Sequence, residues 1–206
     1  MKLGEMTFGT NIKIPERQEG GSYELADYTL GYFGAGVAAL IRKDIHSRCW
    51  FGDSTEYAGS DLDKRMTEIY NSYPDELKEL IMSSTFLLYN GSGAEDITRK
   101  VFAPTMTMVG GGDNHGVDEG FTWPIFTGRN SRIKTLNGVA ALWWLSSRYS
   151  SGDAWVVYMD GSADDFDSSF TFGVVPAFVI PQSVQIDDTP DNDGIYRLTA
   201  LQSYCS

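Results

Sequence analysis

ALWWLSSRYSSGDAWVVYMDGSADDFDSSFTFGVVPAFVIP, residues 141–181, consists of three short apolar runs cut by polar turns. The runs are 141–147, 154–159 and 173–181, and Ser, Gly and Asp fill the gaps between them. Apolar runs of this length between turn-forming residues read as strands. Adjacent side chains on a strand point to opposite faces. Of Trp143 and Trp144, one is therefore expected in the core and the other under a loop or facing outward.

Upstream, 85–89 (TFLLY) and 100–109 (KVFAPTMTMV) are further strand candidates, followed by a Gly-rich polar loop over 110–120. Downstream, 187–194 (DDTPDNDG) reads as a turn and 195–201 (IYRLTAL) as a last strand. The spacing predicts a helix over 60–73, with Ser60 as cap, Asp63 three residues on, and Leu62, Met66, Ile69, Tyr70 and Tyr73 on one face. Pro74 opens a second short helix to about 82, with Asp75 and Glu76 in its first turn. Residues 23–33 and 37–43 read as strands, and polar, Gly-rich 1–22 as an extended arm or a short strand near Ile12 and Ile14. Helices early and strands late give an α+β expectation. The expected architecture is two short helices in the N-terminal half and a small twisted antiparallel sheet with long loops in the C-terminal half. The expected organisation is an arm, 1–22, and one domain, 23–206.

Length and composition fit a domain with an ample core: 206 residues, 42% hydrophobic, 21% charged, with aromatics at 13%. A net charge of −12 repels a phosphate backbone, so no nucleic-acid partner is expected. No apolar run long enough to span a membrane occurs, and the opening MKLGEMTFG has no apolar signal-like core. Cys49 and Cys205 match no metal or redox spacing and are expected as reduced thiols.

Three acidic loops invite a cation: Asp113, Asn114, His115, Asp118 and Glu119; then Asp160, Asp164, Asp165 and Asp167; then Asp187, Asp188, Asp191, Asn192 and Asp193. The third fails as a calcium loop, because Thr189 stands at the first ligand position and Ala200 at that of the bidentate glutamate. All three read first as polar turns. No cofactor is expected, and the metal question stays open. His46 and Cys49 would meet only if their segment were helical, and HSRCW lies between a strand and a Gly-Asp turn. No nucleophile elbow, phosphate loop or dinucleotide fingerprint occurs.

Residues 141–181 resemble the C-terminal signature of DUF6273, a family of domains of unknown function in gut Firmicutes and their phages. The family runs Trp-Trp-Leu-Arg-Ser-Pro, a strand, then Gly-Val-Arg-Pro-Ala and an apolar strand. AALIRKDIHSRCWFG and SDLDKRMTEIYNSYPDELKELI resemble its earlier segments, in order, over about 10–186. Ser146-Ser147-Arg148 and Val175 depart from the pattern and mark a divergent member. The resemblance implies a C-type-lectin-like or formylglycine-generating-enzyme-like fold whose loops bind. Cys49 and Cys205 do not match the cysteine pair of the enzymatic branch.

The expectation that follows is a non-catalytic phage virion protein of tail, fibre or head surface, assembled in the host cytoplasm. It would bind host-surface glycan or protein, with other virion proteins and sister copies, a trimer among the options, as partners. Residues 1–22 would dock on the particle. Loops 110–120, 146–154 and 161–170 would face outward, with Tyr149, Asp153, Trp155, Asp164, Asp165, Phe166 and Phe170 as ligand-binding residues. The alternatives are a bacterial or prophage-encoded cell-surface binding domain and a carboxylate-based hydrolase.

Overall fold

A computed structural model describes residues 1–204. Its strands, in chain order, are β1 (Asn11–Arg17), β2 (Tyr23–Gly34), β3 (Val37–Arg42), β4 (Ser47–Trp50), β5 (Ser84–Tyr89), β6 (Ala94–Arg99), β7 (Val101–Phe102), β8 (Thr135–Leu136), β9 (Val139–Ala140), β10 (Trp143–Arg148), β11 (Asp153–Val157), β12 (Ala163–Asp167), β13 (Thr171–Val174), β14 (Ala177–Pro181) and β15 (Tyr196–Arg197). Two helices, α1 (Asp61–Ser72) and α2 (Asp75–Leu80), lie between β4 and β5.

The expectation of a small C-terminal sheet beside an N-terminal helical half is overturned. The chain is 40% strand and 15% helical, and its larger sheet has six strands. That sheet runs β15-β1-β2-β3-β14-β7, so its centre comes from the N-terminal half. A second sheet of five strands runs β12-β11-β10-β13-β4, and β5–β6 forms a separate hairpin. Neither large sheet is purely antiparallel, since β1 pairs with β15, and β10 with β13, in parallel. Residues 173–181 do not form one strand. Val175 and Pro176 carry the chain out of β13 in the second sheet and into β14 in the first. Proline has no N–H to give a central ladder, which makes this a natural place to change sheets.

Residues 1–22 lie against the rest of the domain. Ile12 and Ile14 are fully buried, Leu3 is buried, and β1 is hydrogen-bonded between β2 and β15. The short strand that the sequence allowed near Ile12 and Ile14 is β1, and the arm reading arose because two of its four buried positions are Pro15 and Glu16, which carry no strand signal. Of 100–109, only Val101 and Phe102 are strand; the Thr105–Val109 part is a turn stapled by the Thr105 hydroxyl, which accepts from Met108 N at 3.1 Å.

α1 joins the two large sheets, touching β4 of one and β1 and β7 of the other. Leu62, Met66 and Ile69 on its inner face are buried, as their spacing predicts. Trp143 and Trp144 do point to opposite faces, and both are fully covered. Trp143 donates its indole N–H to Arg132 O and Trp144 to Cys49 O, each at 3.1 Å. A residue of this size contributes about 2–3 kcal/mol when withdrawn from water. β2 carries a register shift between Leu30 and Tyr32, where Gly31 lets Trp123 close in. A Cβ there would stand 2.6 Å from the Trp123 ring. Among the described residues no helix is long and apolar enough to cross a membrane.

Candidate functional site

The β10–β11 connection is built from short-range bonds that its Ser-Ser-Gly-Asp sequence supplies. The Ser150 hydroxyl donates to Asp153 Oδ2 at 2.7 Å and accepts from Asp153 N at 3.1 Å. Tyr149 N and Ser150 N both donate to Asp153 O at 3.0 Å. From outside, Thr55 Oγ1 donates to Ser150 O at 2.6 Å and Arg148 reaches Asn90 O at 3.0 Å. The loop is thus held from both flanks, and Tyr149 stands on a fixed base.

Against it lies the turn Asn114-His115-Gly116-Val117, closed by mutual backbone bonds of Asn114 and Val117 at 2.9 and 3.0 Å. His115 and Gly116 have φ of 53° and 78°. Two successive left-handed residues are the signature of the tight hairpin turn, and an Asn-X-Gly sequence suits it. The turn lifts His115 outward, where its ring stacks on Tyr89 at 4.4 Å and lies 5.8 Å from Tyr149. Tyr149 in turn meets Trp155 edge-on at 5.1 Å. Tyr89, His115, Tyr149 and Trp155 therefore form one continuous aromatic platform.

Asn114, buried at 1% exposure, fixes this platform. Its side-chain oxygen accepts the Trp155 indole N–H at 3.0 Å, and its amide donates to Arg148 O at 2.7 Å and Glu119 Oε1 at 2.9 Å. Glu119 is fully buried and also accepts from Tyr89 N at 2.9 Å and from the Ser147 hydroxyl. Burial pushes the Glu119 carboxyl above its ordinary range, and the bonds from Ser147, Tyr89 and Asn114 partly offset this. Through Glu119 and Asn114, β5, β10, β11 and the 113–119 loop share one anchor.

The structure divides the seven residues singled out in the sequence. In the β11–β12 register Trp155 opposes Asp165, and Asp153 opposes Asp167. Tyr149, Asp153, Trp155 and Asp165 thus gather beside the platform. Burial and the neighbouring Asp164 and Asp153 carboxylates raise the Asp165 pKa. By strand alternation Asp164 and Phe166 project to the opposite face. Phe166 packs there on Phe172 at 4.8 Å and on Phe170 at 4.9 Å, and Phe170 is half exposed. The segment 163–167, expected as an exposed loop, is the edge strand β12. Tyr89 and Asn114 carried no signal of their own as platform members, although Asn-His-Gly was readable as a tight turn.

The acidic loops are occupied with themselves. Asp113 accepts from Gly116 N at 2.7 Å, Asp160 from the Ser162 hydroxyl at 2.6 Å, and Asp191 from Ile195 N at 2.9 Å. Among the described residues no three His, Cys, Asp or Glu side chains converge as a metal site would require. Cys49 sits on β4, not on a helix, and burial pushes its thiol up to about 12, the opposite of an activated nucleophile. Its expected counterpart, Cys205, lies outside the described residues.

A family profile described as "Domain of unknown function (DUF6273)" matches residues 35–182, well over half the chain, and spans the whole platform. No curated protein and no solved structure matches the chain.

Proposed function

The chain belongs to the DUF6273 family, a domain of unknown function, and on that premise we propose that it is a non-catalytic binding module whose aromatic platform takes a host-surface glycan. The observation that carries this reading is the preorganised set Tyr89, His115, Tyr149 and Trp155, locked by Asn114. Rigid aromatic rings offer large contact area for few frozen torsions. A sugar presents an apolar C–H face that stacks on such rings and hydroxyls that seek acceptors, which Asp153 and Asp165 provide at the margin. Placement on the exterior of a phage particle, beside other virion proteins, rests on the family resemblance of residues 141–181. Display of several sister copies there would raise a weak single contact to useful avidity.

The test is calorimetric titration of the full chain with polysaccharide released from candidate host cell walls. Trp155→Ala and Tyr149→Ala should each weaken binding about tenfold or more, equivalent to about 1.4 kcal/mol. Phe170→Ala, on the opposite face, should leave it unchanged. Equal binding by all three variants, or steady release of shortened saccharide during the titration, would remove the proposal.

A further inference from the structure

The hairpin β5–β6 packs against β10 but is hydrogen-bonded into neither large sheet, so each of its strands has a side outside any ladder. Edge strands invite pairing by any passing strand, and proteins guard them with charge, proline or a bulge. The guard is visible elsewhere in this chain: β12 (ADDFD), β6 (AEDITR) and β4 (SRCW) all carry charged side chains. Among the described edge strands longer than two residues, β5 (STFLLY) alone has neither charge nor proline. Its pairing with β6 is regular throughout, with no bulge.

The register shows which backbone groups are free. Asn90 N donates to Gly93 O at the hairpin turn, so the ladder bonds to β6 fall on Leu88, Phe86 and Ser84. Tyr89, Leu87 and Thr85 direct their N–H and C=O groups away from β6. Tyr89 N is taken by Glu119. Among the described residues nothing pairs with the backbone of Thr85 or Leu87. Beside this free side lies an apolar groove of about 250 Å³, with Ser83–Phe86 as one wall and Tyr32, Phe121 and Val179 among the others. Phe121 and Leu87 are 53% and 40% exposed, large values for such residues. The surroundings are acidic: Glu95 and Asp96 stand opposite Leu88 and Leu87 on β6, Asp118 adjoins the Glu119 contact, and the chain carries −12.

The geometry points to a second binding site, in which an extended peptide from another protein adds a strand to the free side of β5. Backbone groups of Thr85 and Leu87 would supply the ladder, and the groove would receive its alternate apolar side chains. Charge complementarity favours Lys or Arg at the positions between. The site adjoins the glycan platform, whose Tyr89 ends the same strand, but its ladder uses no platform residue and the inference does not rest on glycan binding.

Amide exchange of the full chain, with a short synthetic peptide alternating Val and Lys, tests this. The peptide should slow exchange at Thr85 and Leu87 while Phe86 and Leu88 stay protected as before. Leu87→Pro removes one outward donor without touching a ladder bond to β6, and Thr85→Lys installs the missing guard. Each should weaken peptide binding about tenfold, and Trp155→Ala should not. Unchanged exchange at both amides overturns the proposal. So does protection that rises with protein concentration without peptide, which would make a second copy the occupant, and so does equal binding of a peptide alternating Val and Glu.

Discussion

Lys134 shows how one side chain can set a pH dependence for the whole fold. It is 6% exposed, and its ammonium donates to Arg42 O at 2.6 Å. Burial lowers its pKa from 10.5 to about 7; Asp44 opposes the shift, and Arg42 and Lys43 add to it. The folded protein therefore releases this proton at lower pH than the unfolded chain does. Between about 7 and 10.5 the unfolded state binds more protons, so stability rises with pH across that window. Below it both states are protonated, and the full cost of the buried ammonium applies. Buried Cys49 acts with the opposite sign above its ordinary value of 9.0, which leaves pH 7 to 9 as the interval to measure. Urea unfolding should show stability climbing there by up to about 1.4 kcal/mol per pH unit. Lys134→Met should flatten the climb and be more stable than wild type at pH 6. A wild-type profile that falls from pH 7 to 9 would contradict the assignment.

Among the elements, α1 was the most legible because its signals are local. Ser60 is the N-cap, accepting from Asp63 N at 3.1 Å, and the buried face follows the helical period. Ser60→Ala should cost about 1 kcal/mol in the same unfolding assay, the usual worth of such a cap. Asp63 adds a long-range role that no spacing announces. It takes both Arg99 Nε and Nη2 at 2.7 Å, tying the helix to β6. β10, β11 and β14 were legible as apolar runs. β1 was legible only as one of two options, an arm or a short strand near Ile12 and Ile14, and β6 and β12 were not, because each buries few side chains and shows a polar sequence: Asp164, Asp165 and Asp167 on an edge strand look like a turn. The platform was half legible for the same reason. Tyr149, Asp153 and Trp155 belong to one hairpin and were found together. Tyr89 and His115 come from segments far away in sequence, brought to it by the Asn114 and Glu119 bonds and by the 2.9 Å contact of His115 Nε2 with Tyr149 O.

For the whole molecule, the family match and the folding unit have different extents. Residues 35–182 hold the second sheet, the β5–β6 hairpin and the platform, yet they omit β1, β2 and β15, half the strands of the six-stranded sheet. The omitted strands do more than cover an edge. Glu16, 3% exposed, accepts from Arg42 at 2.9 and 3.1 Å and from the Tyr28 hydroxyl at 2.8 Å, and Tyr28 continues the chain of bonds to Tyr73 at 2.6 Å. Removing 1–34 takes away Glu16 and Tyr28 and so dismantles the bonded network that joins β1, Arg42 of β3 and Tyr73. It also bares β3, whose Ala38, Leu40 and Ile41 are buried, as a long apolar edge. Marginal domain stability of about 5–15 kcal/mol does not survive both losses. A protein made of residues 35–182 alone should therefore show no cooperative thermal transition by calorimetry and should aggregate, whereas the full chain melts as one unit. A fragment that melts sharply would mean that β1, β2 and β15 are an appendage to the fold and not half of its principal sheet.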